Sequence, residues 1–254
     1  MDSDDEREGL LRAIFDAPKD DLPRLVFADW LDEHRESEWA ELIRLQCQTQ
    51  PMPHSYEREQ ELLARAFPQG TAQELAIFER GFRLDPRMII AADQLADSAN
   101  LRELALRQHP EWYGATELKI AGGLILSGKP IQTIFISPVT ARVTRLDLGG
   151  LLLYHDPAPG EYGHGDGAFA LMREFEYRPV VTVQAVDALV NARESRRLTH
   201  LDLRNNDLDN DAARAIVHST NLIRLKSLQV FDGNQLRGRT WQQLLERFGP
   251  DVVQ

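Results

Sequence analysis

Leu198-Thr-His-Leu-Asp-Leu-Arg-Asn-Asn-Asp-Leu208 sets the period by which the rest of the chain is read. Its apolar residues and its second asparagine follow the spacing L-x-x-L-x-L-x-x-N-x-L. In a short strand, Leu201 and Leu203 point to one face, while His200, Asp202 and Arg204 point to the other. Leu198 and Leu208 stand where the chain enters and leaves that strand, both turned inward. The Asn206 amide is suited to bond backbone groups that the turn leaves unpaired. One such unit cannot bury its own apolar edge, so the stretch predicts neighbours of the same kind.

Neighbours are present. Leu225-Lys-Ser-Leu228-Gln-Val230 repeats the first half, with Asn234 and Leu236 each one place later than the template. Val143-Thr-Arg-Leu146-Asp-Leu148 repeats it without the asparagine. Two acidic helix starts also match each other, Asp166-Gly-Ala-Phe-Ala-Leu171 and Asp211-Ala-Ala-Arg-Ala-Ile216. Leu101 to Leu106, Ala115 to Ile120 and Ile131 to Ile136 are weaker strand candidates. This set of spacings resembles a leucine-rich repeat. The resemblance implies parallel strands inside, helices outside, and a concave strand face that binds proteins. The outward positions on that face are Arg145 and Asp147, then His200, Asp202 and Arg204, then Ser227, Gln229 and Phe231. Arginine, acid, histidine and an exposed aromatic suit a protein or peptide partner, because Arg and aromatic side chains anchor interfaces.

Charge narrows the function classes. The formal net charge is −11, which opposes association with nucleic acid or an anionic membrane surface. Residues 1–50 hold 14 acidic against 6 basic side chains, so −8 of that charge sits in the first fifth and the repeat region is close to neutral. At 254 residues and 43% hydrophobic content the chain can bury a substantial core in one or two domains. No apolar run approaches the roughly 18 residues of a membrane span, and the acidic start does not read as a leader, so the expected location is cytoplasmic. A single cysteine, Cys47, excludes an internal disulfide and a mainly thiolate zinc site.

Upstream of the repeats the apolar spacing turns helical. Residues 3–16 place Leu10, Leu11, Ile14 and Phe15 together. Asp20-Asp21-Leu22-Pro23 reads as a helix start, with proline in the first turn. That second helix carries Leu22, Leu25, Val26, Phe27, Trp30 and Leu31, and a third from about Ser37 carries Trp39, Leu42, Ile43 and Leu45. Leu10 to Pro18, Pro23 to Glu33 and Glu41 to Gln46 together resemble the repeat-companion domain, a short bacterial module at the head of leucine-rich-repeat proteins. Trp241 to Gly249 is similar to the terminal helix of such proteins. The resemblance implies no catalytic residues. Asp29 and Arg44, charged positions among apolar ones on adjacent helices, are expected to fix the bundle as an interhelical ion pair or a cap, with a recognition site as the alternative. The expected organisation is residues 1–50 as the helical domain, 51–100 as a transition and 101–254 as the repeats. In the transition, helices are expected near 56–67, 71–80 and 88–99, with Gly81 to Leu84 as the first strand.

Candidate chemistry outside the repeats is sparse. Gly123-Leu-Ile-Leu-Ser-Gly-Lys-Pro130 nearly matches a phosphate-binding loop, but proline stands where a hydroxyl should meet magnesium, so a turn between two strands is expected. Residues 149–167 read as a glycine-rich insertion in which His155, Asp156, Glu161, His164 and Asp166 gather possible metal ligands. No G-x-S-x-G elbow is present; Cys47 is expected to be a structural thiol, and His34, His54, His109 and His218 are isolated. The expectation is an α/β chain: a short irregular solenoid behind an α-helical domain, binding a protein or peptide without catalysis or cofactor. The alternatives are a metal-dependent hydrolase using the 155–166 loop and a purely structural repeat protein.

Overall fold

Helical periodicity at the front of the chain and strand periodicity at its back sort it into two compact units. The computed structural model describes residues 3–48, 55–68, 78–83, 87–91, 98–121, 126, 128–154, 175–178 and 181–254. One unit comprises residues 1–88, 101–115 and 138–142; the other comprises 89–100, 116–137 and 143–254. The helical unit thus reaches well past residue 50 and recruits two later segments.

In the helical unit, α1 (Ser3–Asp16), α2 (Leu22–Glu33), α3 (Ser37–Gln46) and α4 (Ser55–Ala66) pack in sequence, α2 on α1, α3 on α2 and α4 on α3. Proline stands in the first turn of α2, where a missing N–H does no harm. Just past the end of α2, Arg35 has a φ of 67°, which lets Glu36 N–H reach back to the Leu31 carbonyl. A short antiparallel hairpin, β1 (Phe78–Glu79) and β2 (Phe82–Arg83), closes over the bundle. Trp39 Nε1 donates to the Gly81 carbonyl at 2.8 Å, and Phe82 stands edge-on to Phe15 and Trp39 at 5.4 and 5.6 Å between centroids. Gly81 has φ 83° and its Cα faces Ile43, whose side chain would lie 2.2 Å from any added Cβ. Arg7 lies 5.5 Å from both the Trp30 and Trp39 rings and bonds Glu36 through both terminal nitrogens. Helix α5 (Ser98–Arg107) is tied to α1 by Arg102, which meets Glu8 and Asp5 at 2.6 Å each.

The second unit is built on a five-stranded sheet in strict chain order, β3 (Arg87–Ala91), β4 (Glu117–Ala121), β5 (Arg145–Asp147), β8 (His200–Asp202) and β9 (Ser227–Gln229). The pairings β4–β5, β5–β8 and β8–β9 are parallel. Inward residues stack in two rows, Leu118, Leu146, Leu201 and Leu228, then Ile120, Leu148, Leu203 and Val230, all at most 2% exposed. Each such leucine contributes about 1.5–3 kcal/mol by its burial. Helices α6 (Gly128–Ile136), α7 (Val183–Asn191), α8 (Asn210–His218) and α9 (Arg239–Phe248) form the second layer, each packed on the next in chain order. A third buried row, Leu126, Val181, Leu208 and Leu236, precedes these four helices. Thr182 caps α7 through Ala185 N–H, and Asp209 caps α8 through Asp211 and Ala212. The acidic start expected at Asp211 therefore lies two residues late.

Asparagine side chains fill the turns after the strands. Asn206 Nδ2 donates to the Leu148, Leu203 and Arg204 carbonyls, and its Oδ1 accepts from Val181 N–H. Asn234 does the same one turn on, donating to Leu203 and Val230 and accepting from Asn206 and Leu208. The extra residue before Asn234 is absorbed by Gly233, with φ 66°. The edge of β9 is covered by backbone: Leu228 N–H meets the Val252 carbonyl at 2.8 Å and Val230 N–H meets Gln254 at 2.9 Å. This isolated parallel bridge, Leu228 to Val253, covers the sheet edge.

Several expected elements differ. Leu101 to Leu106 and Ile131 to Ile136 are helical, in α5 and α6. Leucine or isoleucine at i, i+3 and i+5 fits a strand face only if the last residue is inward, yet Ile136 is 69% exposed while Ile131, Ile134 and Phe135 are buried. Residues 78–79 are strand rather than helix, Phe82–Arg83 belongs to the hairpin, and 88–91, read as helix, form β3. A helix, Gly128–Ile136, and not the second of two strands, stands at the end of the Gly123 to Pro130 stretch. Of the apolar residues that α2 carries, Leu22, Leu25 and Val26 are 65%, 37% and 46% exposed, because Arg24, Phe27, Ala28 and Leu31 take the buried side. The insertion after β5 is flanked by an antiparallel pair, β6 (Leu151–Tyr154) and β7 (Phe175–Arg178); the helix expected from Asp166 lies outside the described residues.

Candidate functional site

Strand register turns alternate residues into columns on the polar side of the sheet. Glu117, Arg145, His200 and Ser227 are successive Cα partners across β4, β5, β8 and β9. Lys119, Asp147, Asp202 and Gln229 form the next column. Neighbours in such a column stand about 4.8 Å apart, so short side chains already touch. The ladder runs on past the strand ends, with Leu148 N–H on Asp202, Leu203 N–H on Gln229 and Gly150 N–H on Arg204. A third outward row therefore carries Gly149, Arg204 and Phe231.

All seven residues expected to bind, Arg145, Asp147, His200, Asp202, Arg204, Gln229 and Phe231, lie at these outward positions. Arg145 and Phe231 are exposed, the latter at 51%, and the other five are half-buried. Phe231 leans on Trp241, ring centroids 5.1 Å apart, which makes an aromatic end to the face. Glu117 and Lys119 belong to the same columns and were not among the expected seven. Their strand, Ala115 to Ile120, carried the same alternation, and that signal was enough to include them.

Much of the charge is already matched inside the face. Arg145 Nε meets Glu117 at 3.1 Å, and Lys119 Nζ meets Asp147 at 2.9 Å. Such cross-strand pairs contribute roughly 0.2–1 kcal/mol each. Arg204 grips Asp202 with Nη2 at 2.6 Å and Nε at 3.1 Å, which raises the Arg204 pKa. Asp147 and Asp202 also shape their own turns, accepting from Gly149 and Arg204 N–H at 3.0 Å each. His200 has its Nδ1 2.9 Å from Thr199 Oγ1. Burial, and next the charge of Arg145, lowers its pKa, so the ring stays neutral at pH 7 and offers one donor and one acceptor.

Elsewhere the expected structural roles can be read directly. Arg44 bridges Asp29 at 2.7 Å and Asp32 at 2.6 Å, an interhelical pair across α2 and α3. Cys47 is half-buried beside Asp21, and burial pushes its thiol up to about 11. His34 stacks on Trp30 and meets the Trp30 carbonyl at 2.7 Å, His109 stacks on Trp112, and His218 ends α8. His54 and the five residues His155 to Asp166 lie outside the described residues. Among the described residues no group of three His, Cys, Asp or Glu side chains could hold a metal, and no helix is long and apolar enough to cross a membrane. Comparison with known proteins finds no matching family model, and no curated protein or solved structure similar to the chain.

Proposed function

We propose that the sheet unit is a short leucine-rich-repeat array whose polar face binds a protein or peptide without catalysis, and that the helical unit is its repeat-companion domain. The repeat part of this reading is supported by three features that recur together. These are parallel strands in chain order, stacked inward leucines, and turn asparagines bonded into the neighbouring turn. The binding part rests on one observation, the alignment of the polar outward residues in continuous columns that end at the exposed Phe231. Paired charges hold those side chains in fixed positions, which lowers the entropy lost on contact.

The test is affinity capture from lysate with the full chain, wild type beside an Arg145→Ala, Gln229→Ala, Phe231→Ala variant of equal thermal stability. Asp147, Asp202 and Arg204 are left intact because they shape turns. A partner held by wild type should bind the variant at least about tenfold more weakly, since an Arg and an aromatic anchor are removed together. Equal retention by both proteins, or no partner at all, refutes the reading. A purely structural array would show the second result.

A further inference from the structure

The connection from α7 to β8 and the next one, from α8 to β9, enclose a second feature of different chemistry. A cleft of about 470 Å³ is lined by Arg193, Glu194, Arg196, Arg197, Ile223 and Arg224. Four guanidinium groups face one carboxylate, a local charge of +3 in a chain of −11. Part of that charge has structural work. Arg197 Nε donates to the Val143 carbonyl and its guanidinium lies 5.7 Å from the Phe135 ring, while Arg196 Nε donates to Asn221. Basic groups also complement the C-terminal end of α7 just upstream. What remains is not accounted for by the fold. The side chains of Arg193 and Arg224, one from each connection, enter no hydrogen bond or ion pair among the described residues. Arg197 Nη2 is buried from solvent with no hydrogen-bond partner, so it adds positive potential behind the cleft rather than a donor within it. Burial also lowers the Arg197 pKa, yet a guanidinium stays charged at neutral pH.

We infer that this cleft is a binding site for a small polyphosphate-bearing ligand. A single carboxylate would leave most of the local charge uncompensated, whereas two linked phosphoryl groups bring two to three negative charges. Their oxygens also accept the forked N–H pairs that guanidinium presents. The cleft volume is ample for such a group plus part of the molecule that carries it.

The probe is inorganic pyrophosphate, titrated calorimetrically into the full-length protein at fixed ionic strength and followed in parallel by thermal unfolding. Citrate serves as a carboxylate of comparable charge. The control is Arg193→Gln, Arg224→Gln, two exposed side chains whose replacement leaves the fold intact. Saturable binding that raises Tm in wild type, weakened at least about tenfold in the double variant and absent with citrate, is the expected result. No saturable binding, binding that survives the double variant, or an equal response to citrate overturns the inference. A Lys variant, Arg193→Lys, Arg224→Lys, should recover part of the affinity because charge returns without the fork.

Discussion

Replacing Asn206 by alanine tests whether the turn asparagines hold the sheet unit together. The side chain is 3% exposed and makes four hydrogen bonds to backbone among the described residues. Two of its partners have a second one: the Leu203 carbonyl keeps Asn234 Nδ2, and the Arg204 carbonyl keeps Gly150 N–H. The other two, Val181 N–H and the Leu148 carbonyl, lose the Asn206 bond in the interior. A buried backbone group left unpaired costs about 1–3 kcal/mol, so the variant should lose about 2–6 kcal/mol. That is a large share of the roughly 5–15 kcal/mol by which a domain is folded. Asn234→Ala is the internal comparison. It breaks as many bonds, but Asn234 is half-buried, so water can replace several of them and the loss should be smaller. Equilibrium urea unfolding, followed by circular dichroism, measures both. A loss below about 1 kcal/mol for Asn206→Ala, or one no greater than for Asn234→Ala, would refute the account.

Asn206→Asp sharpens the test. At neutral pH it aims a carboxylate at three carbonyl oxygens, so it should destabilise at least as much as alanine. Its folded pKa would lie above the unfolded value of about 3.9, so stability should recover as the pH is lowered through the folded pKa toward that value and level off below it.

Two further predictions follow from particular contacts. Gly233→Ala places a Cβ 2.7 Å from the Asn205 Cα at a φ of 66°, so it should lower stability by about 1–3 kcal/mol in the same unfolding assay; a neutral substitution would show that the turn relaxes freely. Cys47, with its thiol pushed up from 9.0 to about 11, should hold roughly 100-fold less thiolate at neutral pH than an unperturbed cysteine. Alkylation with iodoacetamide should be slower by a similar factor in the native protein and reach the ordinary rate in urea; a fast native reaction contradicts the burial.

Local periodicity carried what could be read in advance. The first helix has the expected span and the next two begin where expected, because aromatic and leucine residues recur at helical spacing between a Pro at one start and polar breaks. The columns of the candidate face were legible for β5, β8 and β9, since strand alternation alone decides which residues face outward. The half pattern L-x-x-L-x-L was not sufficient at 101–106 and 131–136, where the same spacing lies on a helix that buries Leu101, Ala105 and Leu106 in one case and Ile131, Ile134 and Phe135 in the other.

The α/β alternation, the helical start and the identity of the outward residues are properties of neighbours along the chain and follow from its local pattern. Which charges cancel across strands, that β9 is covered by Val252–Gln254, and that residues 193–197 meet 223–224 around a cationic cleft emerge on folding. Those outcomes depend on register and on contacts between segments distant in sequence, where a shift of one residue would exchange every inward and outward side chain.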